Sequence, residues 1–488
     1  MRTRATREQL PESAGLLAVG TVHATHPMIS EDMGTHGAGG TGGRNLLNGR
    51  LQAAAFALLA GLAMPAAAEL EAAPDYAGTT LTGDWNGARS ELWQRGLALE
   101  AGLKLDSLRN RGGATDGGHT LSHLELKLRA DLEKLLGWSN AVAYANSITD
   151  AGAGINARHT GSLMGVSNIE VPVPTTRLFH AWVQKGFLDD RFSLLAGIYP
   201  IDSEFFTMDS AATLLHPAYG PPADLSLTNA PSIFNNAAFG VRAKWLSENR
   251  DWYAMGALMD GVPNDPARPK ATAVRFAKGD GGFVIGEIGW MPLELGHFFE
   301  PADPAHVRQT PALVAHEKYG GHSKYAIGVW RYGNRVADQL DVDADNNPLQ
   351  RRSQGGYVLA ERTLFSLGGD AGRDVTAFGR YSFSSGDSTS IDRMWNLGLR
   401  IRGPLASRPD DSLAIGWTGS RLAPKWRAVQ AAAGVDTASA EEALELTWRV
   451  AITPWLVLQP DLQYIRHPGG ATAARHAALA GARVEIVF

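Results

Sequence analysis

Leu97-Ala98-Leu99-Glu100-Ala101-Gly102-Leu103-Lys104-Leu105-Asp106 sets apolar residues against charged and small ones at every second position. Leu124-Glu125-Leu126-Lys127-Leu128-Arg129-Ala130-Asp131-Leu132-Glu133 repeats the pattern more strictly. A strand sends successive side chains to opposite faces, so each segment has one apolar face and one polar face. Alone, this pair is compatible with a soluble sandwich wetted on one side. The rest of the chain argues otherwise. The alternation recurs at 179–184, 192–199, 239–245, 283–290, 324–332, 356–364, 375–382 and 444–450. Short links, 188–191 and 247–251, alternate with long ones rich in Pro, Gly, Asn and Asp at 200–236, 261–281 and 333–355. Short turns on one side and long loops on the other are the layout of an outer-membrane barrel.

The chain ends on Phe488. Ala482, Val484, Ile486 and Phe488 form one face of a last strand, with Arg483, Glu485 and Val487 on the other. That ending resembles the signal read by the outer-membrane assembly machinery. At the other end, Arg44 and Arg50 precede an apolar run from Leu51 to Met64, followed by Pro65-Ala66-Ala67-Ala68. A basic flank, a short apolar core and a small-x-small site read as a secretory signal peptide over 44–68, cut after Ala68. Residues 1–43 are polar and aperiodic and read as an upstream extension, with Met33 a candidate start. Residues 69–96 then form an N-terminal segment with a short periplasmic helix: Asp84 caps it, Trp85, Ala88 and Leu92 share a face, and Gly96 ends it. The barrel occupies 97–488.

In lipid every backbone N–H and C=O needs an internal partner, so only helices and closed barrels span. No run of about 20 apolar residues lies in the body of the chain. The fold class expected is therefore all-β: a transmembrane antiparallel β-barrel. Sixteen strands allow about 26 residues per strand with its share of loop, and eighteen about 23. Either width leaves a water-filled lumen. Trp138, Trp252, Trp290 and Trp455 suit interfacial girdles. The net charge of -5 and the absence of cysteine fit export without disulfides and give no basic surface for nucleic acid.

Several segments resemble the OprB-type carbohydrate-selective porins. They are Leu81-Thr82-Gly83-Asp84-Trp85-Asn86-Gly87-Ala88-Arg89, Asp131-Leu132-Glu133-Lys134-Leu135-Leu136-Gly137-Trp138 and Asp202-Ser203-Glu204-Phe205. Later come 398–404 with 408–411, 459–465 with Pro468-Gly469, and Gly481-Ala482-Arg483 before Phe488. The resemblance spans about 81–488. It implies a 16-stranded barrel whose constricted lumen passes monosaccharides and similar small neutral solutes, by passive diffusion, across the outer membrane of a Gram-negative bacterium. Partners expected from this reading are the monosaccharides, the barrel assembly machinery acting on Phe488, and outer-membrane lipid with lipopolysaccharide. A homotrimer is compatible with it.

Sugars are neutral and hydroxylated. A pore favouring them needs donors, acceptors and a flat platform for the ring, whereas ion-selective pores carry rings of one sign. The predicted inward face mixes both signs. The pore-lining candidates are Arg129, His180, Trp182, Gln184, Arg242, Lys244, Glu287, Glu361 and Arg380, with Trp182, Arg242, Glu287 and Arg380 preferred. Loop 200–236 is the candidate for narrowing the pore. The bland alternative for each such charge is pairing across neighbouring strands.

Other chemistry is set aside. Asp341-Val342-Asp343-Ala344-Asp345-Asn346 opens like a calcium loop, but Asn346 and Arg352 stand where Gly and Glu are needed. The fourteen histidines, His316 and His322 among them, have no metal spacing. No nucleophile elbow or phosphate loop is present, so no cofactor, metal or catalytic residue is assigned. The alternatives carried forward are a general or ion-selective diffusion porin on the same barrel and a barrel enzyme such as an outer-membrane phospholipase.

Overall fold

The computed structural model describes residues 73–152, 154–229, 231–292, 323–368 and 370–488. The signal-peptide reading over 44–68, the extension 1–43, and His316 and His322 lie outside them. The strands, in chain order, are β1 Leu97–Gly113, β2 Gly117–Asp131, β3 Ala141–Ala151, β4 Thr175–Phe187, β5 Phe192–Tyr199 and β6 Ala238–Leu246. They continue with β7 Trp252–Asp260, β8 Gly282–Trp290, β9 Ser323–Tyr332, β10 Val336–Val342, β11 Pro348–Arg351 and β12 Gln354–Leu367. The last are β13 Asp370–Ser384, β14 Ile391–Arg402, β15 Ser412–Leu422, β16 Ala440–Thr453, β17 Leu456–Arg466 and β18 Arg475–Val487.

Sixteen of these close a barrel, each strand antiparallel to its neighbours, with β1 paired to β18. The count is sixteen, not eighteen, because β10 and β11 pair only with each other. They form a hairpin inside the long link 333–353, which sequence alone reads as plain loop. Closure leaves no open edge, which satisfies the backbone rule for lipid. No helix among the described residues is long and apolar enough to cross a membrane.

The faces sort as the alternation demands. Leu126, Leu258, Ile288, Ile327, Leu397 and Leu462 point outward and are exposed, while Asp106, Glu287, Lys324, Arg380, Glu445 and Arg483 point inward and are buried. This is the reverse of a soluble barrel and fits a lipid surround with a polar lumen. At the rim that carries turns 188–191 and 247–251, Trp252 pairs in register with Trp290, and Trp290 with Tyr325. Their rings stack with centroids 6.1 and 5.6 Å apart, one arc of an aromatic girdle.

Local sequence explains the tight connections. After β2, the Asp131 carboxylate accepts hydrogen bonds from the N–H groups of Glu133 and Lys134 and so starts a one-turn helix, Leu132–Leu136. Gly137 ends it in the left-handed region at φ 72°. The N-terminal helix differs in detail from expectation. It runs Ala88–Gln94 behind a 3-10 turn at Trp85–Gly87, and its buried residues are Arg89 and Trp93, not Trp85 and Leu92. Arg89 decides this. Its guanidinium lies over the Tyr76 ring at 4.0 Å and donates to the carbonyls of Leu99 and Phe488, pinning the helix to the seam between β1 and β18.

Candidate functional site

Two long links fold back into the barrel instead of projecting from it. They are 152–174 after β3 and 200–237 after β5. The second is apolar along one side. Phe205, Phe206, Met208, Leu214 and Tyr219 are buried in one cluster with Tyr253, Met255, Phe283, Trp330, Tyr357 and Phe378 from the inner wall. Over that arc the wall is apolar inside as well as outside, because loop covers it.

Inward-facing charges hold the loop in place. Glu287 accepts from the Phe206 N–H at 2.8 Å and from the hydroxyls of Tyr253 and Tyr357. Those two rings fit because Gly289 and Gly328 leave space, where a Cβ would lie within 2.2 Å of a ring atom. Glu361 accepts from the N–H groups of Asp209 and Ser210. Glu445 accepts from those of Leu215 and His216. Arg380 donates to the carbonyls of Phe206, Ala218 and Gly220. Link 152–174 is fastened in the same way. Glu441 accepts from the N–H groups of Leu163 and Met164, and Asp106, paired with Arg483 at 2.6 Å, accepts from the Ser167 hydroxyl. Backbone groups drawn into the lumen need partners, and carboxylates on the wall supply them.

The space left open is a cavity of about 1550 Å³ against the wall of β1–β4. One side is aromatic. Tyr144 on β3 packs on Trp182 on β4, with ring centroids 5.1 Å apart, and Trp182 Nε1 donates to His180 Nδ1 at 3.3 Å. A β-bulge at Phe179 shifts the phase of β4, so Arg177 and Phe179 before it and His180, Trp182 and Gln184 after it all reach the interior.

The other side is charged and comes partly from the loop. Glu204 accepts a forked pair from Arg242, at 2.7 and 3.0 Å, and a bond from the Tyr199 hydroxyl at 2.5 Å. Lys244 lies 3.5 Å from the same carboxylate. Arg242 also donates to Gln184 and Ser193. Burial alone would raise the Glu204 carboxyl, but the Arg242 and Lys244 cations outweigh it and hold the group at about 2. Asp202, buried in the same loop with no cation against it, is pushed up by burial to about 6. Around the rest of the cavity, Glu125 sits between Lys127 and His123, and Arg449 pairs with Glu485. Both signs alternate, and no ring of one sign forms.

The sequence candidates therefore divide. Arg129, His180, Trp182, Gln184 and Arg242 line the open cavity together, and Lys244 stands just behind on Glu204. Glu287, Glu361 and Arg380 face inward but lie under the loop, bonded to its backbone. Tyr144 and Glu204, which also line the cavity, stand outside the candidates drawn from the sequence. Tyr144 lies on β3, whose alternation is weak, and Glu204 comes from the folded-in loop. Asp202-Ser203-Glu204-Phe205 stood out in the sequence only as a family-like segment. The acidic run 341–346 lies in the β10–β11 hairpin, away from the cavity, and among the described residues no group of three His, Cys, Asp or Glu could hold a metal ion.

Residues 115–488 match the model of the carbohydrate-selective porin family OprB. The chain is 23% identical over 450 residues to Porin B of Pseudomonas aeruginosa, covering 84% of this chain and 91% of that one. It is 22% identical over 444 residues to the putative porin QuiX of Acinetobacter baylyi, covering 84% and 93%. The high-pH structure of Pseudomonas putida OprB superposes with a TM-score of 0.71 at 18% identity, covering 86% of this chain and 100% of that one, a likeness of fold.

Proposed function

This chain belongs to the OprB family of carbohydrate-selective porins, and from that premise we propose that monosaccharides cross its lumen between the Tyr144–Trp182 platform and the Arg242–Glu204 cluster. The protein is an outer-membrane channel for carbohydrates and not an enzyme; solutes move down their gradient and no bond is made or broken. Arg129, His180, Trp182, Gln184 and Arg242 touch the passing sugar, together with Tyr144 and Glu204. Lys244 tunes Glu204, while Glu287, Glu361 and Arg380 act through the loop they hold.

One observation carries this reading: an aromatic face and a balanced set of fixed donors and acceptors border the same narrowed cavity. A pyranose ring presents C–H groups to an aromatic face and hydroxyls around its edge, and this pairing meets both. The paired charges also argue against an ion-selective porin. Single-channel current in a planar bilayer tests the reading. Glucose lowers the open-channel current in a saturable manner, and other monosaccharides compete. A current that falls only in proportion to solution viscosity would reject the binding site and leave a general diffusion porin.

Residues 44–68 direct export and are removed after Ala68, supported by their basic flank and small-x-small site. Phe488 presents the last strand to the assembly machinery. The barrels sit among lipopolysaccharide and associate as homotrimers.

A further inference from the structure

The outer face of the barrel carries an arginine-headed trough that sugar passage does not use. On β18 the outward side chains are His476, Ala478, Ala480 and Ala482, until Val484 closes the run. The register sets Arg111 and Tyr464 beside Ala478, Arg109 and Leu462 beside Ala480, and Ser107 and Pro460 beside Ala482. Strands lie about 4.8 Å apart and rise about 3.4 Å per residue, so the alanines floor a trough about 10 Å between its walls and about 14 Å long. Leu462 and Tyr464 stand exposed along one wall.

The head of the trough is at the rim of long loops. Arg466 ends β17 and Arg475 begins β18. Arg466 pairs with Glu442 at 2.9 Å and Arg475 with Asp116 at 3.5 Å, both across exposed groups where such pairs are weak. Arg109 and Arg111 are exposed; both act on the Asp116 carboxylate at longer range, and neither forms a salt bridge among the described residues. Four arginines thus meet two carboxylates on a surface whose lower part faces hydrocarbon. An unpaired outward arginine at the edge of lipid calls for an anion, and a guanidinium fork matches phosphate oxygens in pairs. A floor of small residues lets an apolar chain approach the backbone closely.

We propose that this trough binds the phosphorylated glycolipid of the outer leaflet. One acyl chain lies along Ala478–Ala482, and a phosphoryl group is held by Arg109 and Arg111, joined by Arg466 and Arg475. The proposal rests on the outer-membrane reading above, which sets the long-loop rim in the outer leaflet.

Native mass spectrometry of the purified protein, with bisphosphorylated lipid A or phosphatidylethanolamine added in detergent, tests it. Wild type retains lipid A in preference to phosphatidylethanolamine. Two variants separate head from floor: R109S/R111S removes the phosphate contacts, and A480F fills the trough with every arginine intact. Each lowers lipid A retention by about tenfold, the scale of losing one or two charge-assisted hydrogen bonds or the chain contact. Both keep wild-type glucose uptake in proteoliposomes, which shows them folded. Unchanged retention in either variant, or equal retention of the two lipids by wild type, overturns the proposal. A wild-type assembly of several chains that A480F converts to single chains, with no lipid lost, also overturns it and assigns the face to a second copy. Failure of the channel reading registers separately, as wild-type protein that passes no glucose.

Discussion

Trp182 and Glu204 border the open path from opposite sides, one as an aromatic face and one as a fixed charge. Trp182 supplies the platform, and its neighbours Tyr144 and His180 fix its angle. Removing the ring in W182A costs about 0.5–1.5 kcal/mol of stacking, or roughly two- to tenfold in glucose affinity. Glucose block of single-channel current reads this directly, because only inserted, conducting channels are recorded. Glu204 balances Arg242 and Lys244. E204Q leaves both cations without their carboxylate, so the reversal potential in a salt gradient shifts toward anion preference. The pH dependence has a definite sign. The folded-state value of about 2 lies below the ordinary 4.5, so the ionised pair stabilises the loop fully above about 4.5. That contribution fades only as the pH falls toward 2. The effect of E204Q on ion preference therefore holds steady between pH 7 and pH 4, while Asp202, pushed up to about 6, titrates alike in both proteins; an effect of E204Q that vanished within that interval would remove Glu204 from the account.

At the scale of elements, the folded-in loop 200–237 sets the bore. Glu287, Glu361 and Arg380 hold it through its backbone, which makes these wall residues determinants of pore width without touching the solute. In E287A/E361A, backbone N–H groups at Phe206, Asp209 and Ser210 lose their acceptors, at about 1–3 kcal/mol for each site. The loop loosens, and disaccharides enter proteoliposomes faster relative to glucose while total conductance rises. An unchanged disaccharide-to-glucose ratio would show that the loop does not set the bore.

The same loop explains what sequence made legible. β1 and β2 alternate clearly because Glu100, Lys104, Glu125, Lys127 and Arg129 on their inner faces border the cavity, while β18 turns Glu485 to the cavity and Arg483 to link 152–174. β7 does not, because Tyr253, Met255, Ala257 and Met259 pack on the loop and its outer face meets lipid, which leaves it apolar on both sides. On β15 the inward residues are small, Ala414, Gly416, Thr418 and Ser420, and at Gly416 the loop residues Tyr219 and Leu214 fill the space a side chain would take. Where a strand carries inward charges, as β1, β2, β8 and β12 do, its inner face is legible from them. Which charges meet solute and which meet loop is not, because a long-range fold-back leaves no local pattern. Glu204 was hidden for that reason, and Tyr144 because β3 mixes aromatic, small and polar residues.

For the whole molecule, the reversed sorting of faces is the organising fact. Apolar side chains outside suit lipid, and charges inside are consumed first by holding loops and then by bordering a narrow aqueous path. L126R tests the outside. Leu126 is exposed near the middle of β2, where an arginine facing hydrocarbon costs about 2–4 kcal/mol. A urea titration in lipid bilayers should show the unfolding free energy fall by that amount, and no change would mean that this face does not meet lipid. The inside is tested by what passes. Swelling of proteoliposomes in glucose, a disaccharide, an amino acid and a salt measures it most directly. Glucose enters fastest, and a second monosaccharide slows it by competition. Entry ordered by molecular size alone, or no entry of any solute, would contradict a sugar-selective lumen.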